Sequence, residues 1–186
     1  RLIYKKKFDA AWVPGESGKK LMKYFGFHGE QIYKYLYGSD NKCFKAGPPL
    51  NERPKQFIFV GRLTYLKGVD TLIKAFELFS KKHKDWKIIV FGDGECKRLL
   101  KNRSDIILND FSQPPDIAKS MSQSRFLVLP TLTDHWPLVV SESALVGCGM
   151  ILSDKVGNSS EFLNVKNGFS FRSKSVKELS EFHIKP

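Results

Sequence analysis

From Gln56 onward, short continuous apolar runs alternate with segments whose apolar residues recur at helical spacing. Phe57–Val60 reads as a strand that stops at Gly61, and Val69, Leu72, Ile73, Phe76 and Phe79 mark one face of a helix over 69–82. Trp86–Phe91 reads as a second strand, closed by the turn Gly92–Asp93–Gly94. Residues 95–101 read as a helix and Asp105–Leu108 as a third strand. The alternation continues through a helix at Pro115–Met121, a strand at Phe126–Leu129 ended by Pro130, and a helix at Leu138–Val146. Pro137 falls in the first turn of that helix, where a missing N–H leaves no bond unmade. Strand Gly149–Leu152, a helix from Ser159 to Leu163, strand Gly168–Phe171 and the start of a helix at Val176–Phe182 complete the series.

Strands separated by helices of this length predict a parallel sheet. Runs that are apolar on both faces, such as Phe126–Leu129, predict a sheet covered on each side. The fold class is therefore α/β: a Rossmann-like parallel sheet covered by helices, in which ligands bind beyond the carboxyl ends of the strands. The first residues follow a different pattern. Phe8–Val13 predicts a strand, Glu16–Phe25 a helix and Gln31–Tyr37 a second strand, a piece too small to bury much core. Residues 38–54 hold Gly47–Pro48–Pro49 and Pro54, few apolar positions and no period, which is linker composition. The expected organisation is a strand–helix–strand piece over 1–40, a linker over 41–55 and an α/β domain over 56–186.

Composition narrows the class. Of the 186 residues 41% are hydrophobic, which excludes a disordered chain, and no apolar run approaches the ~18–20 residues of a membrane span. Residues 1–7 lack the apolar core of a signal peptide. Cys43, Cys96 and Cys148 are widely spaced and odd in number, which argues for a reducing, cytoplasmic setting and against a disulfide framework or a zinc site. The formal charge is +12, with clusters at Lys5–Lys7, Lys19–Lys20, Lys81–Lys84 and Lys97–Arg103. Solvated helix faces, an anionic membrane leaflet or an anionic ligand all fit that excess. No nucleic-acid-binding signature accompanies it, so nucleic acid is not an expected partner.

Two segments beyond strand ends carry candidate chemistry. In Gly61–Arg62–Leu63–Thr64–Tyr65–Leu66–Lys67–Gly68 a glycine permits close backbone approach, and Arg62 and Lys67 can set two cations over the sheet edge. Two cations there suit a diphosphate. In Asp134–His135–Trp136–Pro137–Leu138–Val139–Val140–Ser141–Glu142 one carboxylate lies in a loop, another in the following helix, and the helix start offers free N–H groups. Taken singly, each segment reads equally as surface charge around an ordinary turn.

Together, and in this order, the segments resemble retaining glycosyltransferases of the GT-B fold, family 4 (group 1). Gly92–Asp93–Gly94, Phe126–Pro130, Gly147, Ser153–Asp154, Val156–Gly157 and Asn167–Gly168 extend the resemblance, as do Trp12–Val13–Pro14–Gly15 and Tyr37–Gly38–Ser39–Asp40 upstream. The resemblance implies a carboxyl-terminal donor-binding domain preceded by the tail of an acceptor domain, so that the chain reads as a fragment. It implies a nucleotide-sugar substrate, no separate cofactor and no metal. Arg62 and Lys67 would hold the diphosphate, Glu142 the ribose and Asp134 the transferred sugar, these four being the candidate catalytic residues. Gly61, Gly92, Asn109, Asp110, Phe111, Trp136, Leu138 and Val139 would complete the donor site, with backbone around Asn109–Phe111 meeting the base. The implied partners are a glycan or lipid-linked acceptor, with peripheral contact to an anionic inner leaflet and a homodimer of the fragment as further expectations. An idle nucleotide-binding module and a sugar-nucleotide epimerase are the alternatives. Asp134 stands where the family usually has Glu, Pro137 and Asn109–Phe111 where glycine is frequent, and Gly149 where proline is usual.

Overall fold

The computed structural model describes residues 7–181, so Lys5, Lys6 and Phe182 lie outside the described residues. The chain divides into two compact units, 1–39 and 40–186.

The second unit is built on a six-stranded, wholly parallel sheet. Its strands are β3 (Gln56–Val60), β4 (Lys87–Phe91), β5 (Ile106–Asn109), β6 (Phe126–Leu129), β7 (Gly149–Ser153) and β8 (Gly168–Phe171), in the order β5-β4-β3-β6-β7-β8. The order reverses direction between β3 and β6. The expected parallel sheet is thus present, each strand within a residue or two of its expected bounds. The helices are α2 (Val69–Ser80), α3 (Pro114–Ser122), α4 (Leu138–Leu145), α5 (Ser159–Phe162) and α6 (Val176–Ser180). Helix α2 packs with α6, whereas α3 packs with α4 and α4 with α5. The central strands pay for their unbroken apolar runs with complete burial: Ile58, Phe59, Leu127, Val128, Met150, Ile151 and Leu152 are all inaccessible or nearly so.

An aromatic cluster anchors the amino edge of this sheet. Phe57 stacks on Trp86 with ring centres 4.5 Å apart and meets Phe76 and Phe79 of α2 edge-on. Offset and edge-on geometries are the ones ring quadrupoles favour.

Some expectations need correction. The 95–101 segment is a 3-10 turn over Glu95–Leu100 rather than an α-helix, and the helix expected at 159–163 is a single turn. Residues 40–55 lack the packing freedom of a linker. Phe44 is buried in the main core, and Arg53, 3% exposed, donates to the carbonyls of Pro48 (2.7 Å), Ser124 (3.0 Å) and Val146 (2.8 Å). Burial lowers the pKa of that guanidinium, and three carbonyl acceptors are what make its burial tolerable.

In the first unit the paired strands are only two residues each, β1 (Ala11–Trp12) and β2 (Ile32–Tyr33), which run parallel and flank α1 (Glu16–Tyr24). The longer strands expected at 8–13 and 31–37 are not formed. A 3-10 turn at Gly29–Gln31 precedes β2, and Tyr35 at φ +64° breaks extension beyond it. Val13, Phe27 and Ile32 form a small core, so Val13 and Ile32 are buried within this unit, while Trp12 is 63% exposed.

Candidate functional site

Because all six strands point the same way, the loops that follow them share one edge of the sheet. Those loops are tied together by main chain. Gly61 donates its N–H to Phe91 O (3.0 Å), Gly92 to Asn109 O (3.1 Å) and Leu63 to Asp93 O (2.8 Å). Gly61, Gly92 and Asn109 therefore form one contiguous rim across β3, β4 and β5. Gly92 sits at φ +149°, and a Cβ there would run into the carbonyl oxygen of Gly61, so glycine is what the close approach requires.

The loop after β3 closes in a 3-10 turn, Tyr65–Lys67, with Thr64 Oγ1 accepting from the Lys67 N–H and Gly68 at φ +70°. A Cβ on Gly68 would collide with Pro130 O, so the turn rests directly on the end of β6. Leu66 O accepts both the Leu132 N–H (2.8 Å) and the Thr131 hydroxyl (3.1 Å), and Ser153 Oγ donates to Thr131 O (2.6 Å). Beyond it, Asp134 donates its N–H to Lys155 O (3.2 Å) and accepts from Gly157 N–H (2.8 Å), pairing briefly with the chain after β7. The loops after β3, β6 and β7 are thus one hydrogen-bonded assembly.

That assembly brings Lys67 and Asp134 together. The Lys67 ammonium donates to Asp134 Oδ2, and each side chain is 17% exposed. Arg62, by contrast, is exposed and its guanidinium has no partner among the described residues. Helix α4 starts at Leu138 behind Pro137 with no side-chain cap; Val140 donates its N–H back to Pro137 O (3.2 Å), which leaves the N–H groups of Leu138 and Val139 without a partner in the helix itself. Asn158, fully buried, donates to Pro137 O (3.0 Å) and steadies this approach to the helix. Glu142 sits one turn in, half-buried, with no partner among the described residues, and burial raises the pKa of its carboxyl. Val139 is buried, Trp136 half-buried, and His135 and Leu138 are exposed.

At the other end of the rim, Asn109 donates through Nδ2 to Val90 O (3.3 Å), and Phe111 is 79% exposed. The sequence reading missed Lys97 here, counting it only within a basic cluster. Its ammonium joins Asp110 of the β5 loop to Asp93 of the β4 loop (3.2 Å), and those two carboxylates raise its pKa, Asp110 foremost. The i,i+4 spacing of Asp93 and Lys97 was the available signal; the third partner, Asp110, comes from another strand. Arg103 of the same cluster is likewise engaged, by Glu77 and Asp105. Among the described residues no three acidic, histidine or cysteine side chains are placed to hold a metal ion, and no helix is long and apolar enough to cross a membrane.

Residues 40–184 match the family described as "Glycosyl transferases group 1". The chain belongs to this family. An uncharacterized glycosyltransferase of Haemophilus influenzae is 28% identical over 131 residues, which are 67% of this chain and 37% of that protein. The chain spans little more than a third of that curated relative. Among solved structures, the carboxyl-terminal domain of a glycosyl transferase group 1 family protein (LpcC) from Francisella tularensis superposes with a TM-score of 0.66 at 19% identity, covering 77% of this chain and 85% of that one. Anabaena HepE, solved in complex with UDP-glucose, superposes with a TM-score of 0.71 at 18% identity over 92% of this chain and 52% of that one. The fold is that of GT-B glycosyltransferases.

Proposed function

We propose that this chain carries the nucleotide-sugar site of a retaining, metal-independent glycosyltransferase that acts on a glycan or lipid-linked acceptor. The observation that carries the reading is the placement of Arg62, Lys67, Asp134 and the open start of α4 on loops at one sheet edge, three of them within a single hydrogen-bonded assembly. Family membership and the UDP-glucose complex of HepE support a nucleotide-sugar donor.

In this reading Arg62 and Lys67 hold the diphosphate. Two cations and the N–H groups of Leu138 and Val139 stabilise the negative charge that gathers on the leaving phosphate, the work a metal ion does elsewhere. Glu142 accepts from the ribose hydroxyls, Asp134 from the transferred sugar, and the rim at Asn109–Phe111 meets the base, with Phe111 presenting an open ring face. Retention follows from attack by the acceptor on the face the phosphate leaves, the phosphate oxygen taking the proton. The basic balance suits an acceptor at an anionic inner leaflet.

Calorimetry with UDP, GDP and ADP tests the reading, with and without EDTA. Binding should survive chelation, and Lys67→Ala should weaken it by roughly ten- to a hundredfold, the loss of one charge-assisted contact. Binding that vanishes with EDTA, or that ignores the loss of Lys67, overturns it.

A further inference from the structure

The ion pair between Lys67 and Asp134 joins two groups to which the proposed function gives different ligands. Both are held from the main chain. Lys67 ends a turn capped by Thr64 and stopped by Gly68, and Asp134 is hydrogen-bonded through its N–H and its carbonyl to the chain after β7. Both side chains are largely withdrawn from water, so neither can be left unpaired without cost. Arg62, the other cation of the loop, is exposed and without a partner among the described residues. Of the two cations to which the proposed function gives the diphosphate, then, Arg62 is exposed and Lys67 is paired with the carboxylate next to it.

We propose that Asp134 is a built-in competitor for Lys67 that lets the site distinguish an intact nucleotide-sugar from the bare nucleoside diphosphate. This rests on the donor-site reading given above. A diphosphate that engages Lys67 draws the ammonium away from Asp134 and leaves a partly buried carboxylate with no donor. When a sugar is attached to the diphosphate, its hydroxyls supply donors at that point and the carboxylate is satisfied again. When the sugar is gone, the carboxylate recovers its bond only by retaking Lys67, which weakens the hold on the spent diphosphate. The short Asp side chain limits the pair to this exchange: its carboxylate is fixed close to the turn that carries Lys67.

The test is a double-mutant cycle read by calorimetry on the whole chain, using whichever of UDP, GDP and ADP binds best together with its commercially available sugar conjugates. Asp134→Asn should tighten bare diphosphate about tenfold, one charge-assisted contact no longer competed for, and should tighten the conjugates less or weaken them. In the Lys67→Ala background the same substitution should have lost that gain. Asp134→Ala, with thermal melting of each variant, guards against a folding defect in the Asn protein. An equal gain with and without Lys67 would reduce Asp134 to a general repulsive charge and overturn the proposal. Weaker diphosphate binding in Asp134→Asn would do so too, because Asp134 would then be orienting Lys67 for the phosphate. A wild-type chain that prefers bare diphosphate to every conjugate also overturns it, leaving the diphosphate site intact. A chain that binds none of the nucleotides removes the donor-site reading itself.

Discussion

At the scale of single residues, the sheet edge is decided by what a side chain or its absence permits. Gly92 is glycine because its φ of +149° and the carbonyl of Gly61 leave no room for a Cβ. Gly92→Ala should therefore lower stability by roughly 2 kcal/mol or more, from backbone strain and the collision together, as read from the urea midpoint. Glu142 makes the opposite kind of compromise. Its carboxyl pKa is raised by burial, so the folded chain binds that proton more tightly than the unfolded chain does. Its contribution to stability is then best below the ordinary carboxylate range and declines as pH rises through the raised value. Glu142→Gln, which abolishes the charge, should raise the melting temperature at pH 7, and the difference from wild type should vanish as pH is lowered below 4.5. The same variant should bind nucleotide less well if the carboxylate serves the ribose. An unchanged pH dependence of melting would show that Glu142 is not desolvated.

At the scale of elements, periodicity was a good guide wherever an element buries one face against its neighbours. Helix α2 and strands β3, β4, β6 and β7 stand close to where their apolar patterns set them, because those patterns are the burial pattern. It failed where an element is short or carries its order in polar contacts. Residues 95–100 have helical composition but turn with 3-10 geometry, between Gly94, at φ +150°, and the short passage to β5. The segment before β3 has no period at all, yet it is held by Arg53, whose three carbonyl acceptors lie in three different stretches of chain. Arg53→Met keeps the stem and removes the donors. It should destabilise the unit by about 3 kcal/mol, since buried carbonyls lose their partner, as measured by denaturant unfolding. A near-neutral result would mean water reaches those carbonyls.

At the scale of the whole molecule, the two compact units are unequal in core. The first depends on three buried residues, Val13, Phe27 and Ile32, whereas the second contains the sheet, its helices and every residue assigned to the nucleotide. A chain comprising residues 40–186 keeps the turn at Asp40, whose carbonyl accepts from Phe44, and should bind nucleoside diphosphate within about twofold of the 186-residue chain, a difference below 0.5 kcal/mol. Loss of binding on that truncation would place part of the nucleotide site in the first 39 residues.

The α/β class, the parallel sheet and the edge shared by the loops that follow its strands were legible in the linear pattern of apolar residues, since strand burial and crossover length are written locally. Gly61, Arg62, Lys67, Asp134 and Glu142 were legible as candidates for the same reason: each lies in a loop after a strand or, as Glu142 does, one turn into the helix that follows. Their mutual relations were not. That Lys67 neutralises Asp134 sixty-seven positions away, that Lys97 joins Asp93 to Asp110, and that Arg53 ties 48, 124 and 146 together depends on strand order and loop registration. Hydrophobic burial sets that order over the whole sheet, and only then do charges that are remote in sequence come within the few ångströms at which a charge-assisted bond forms.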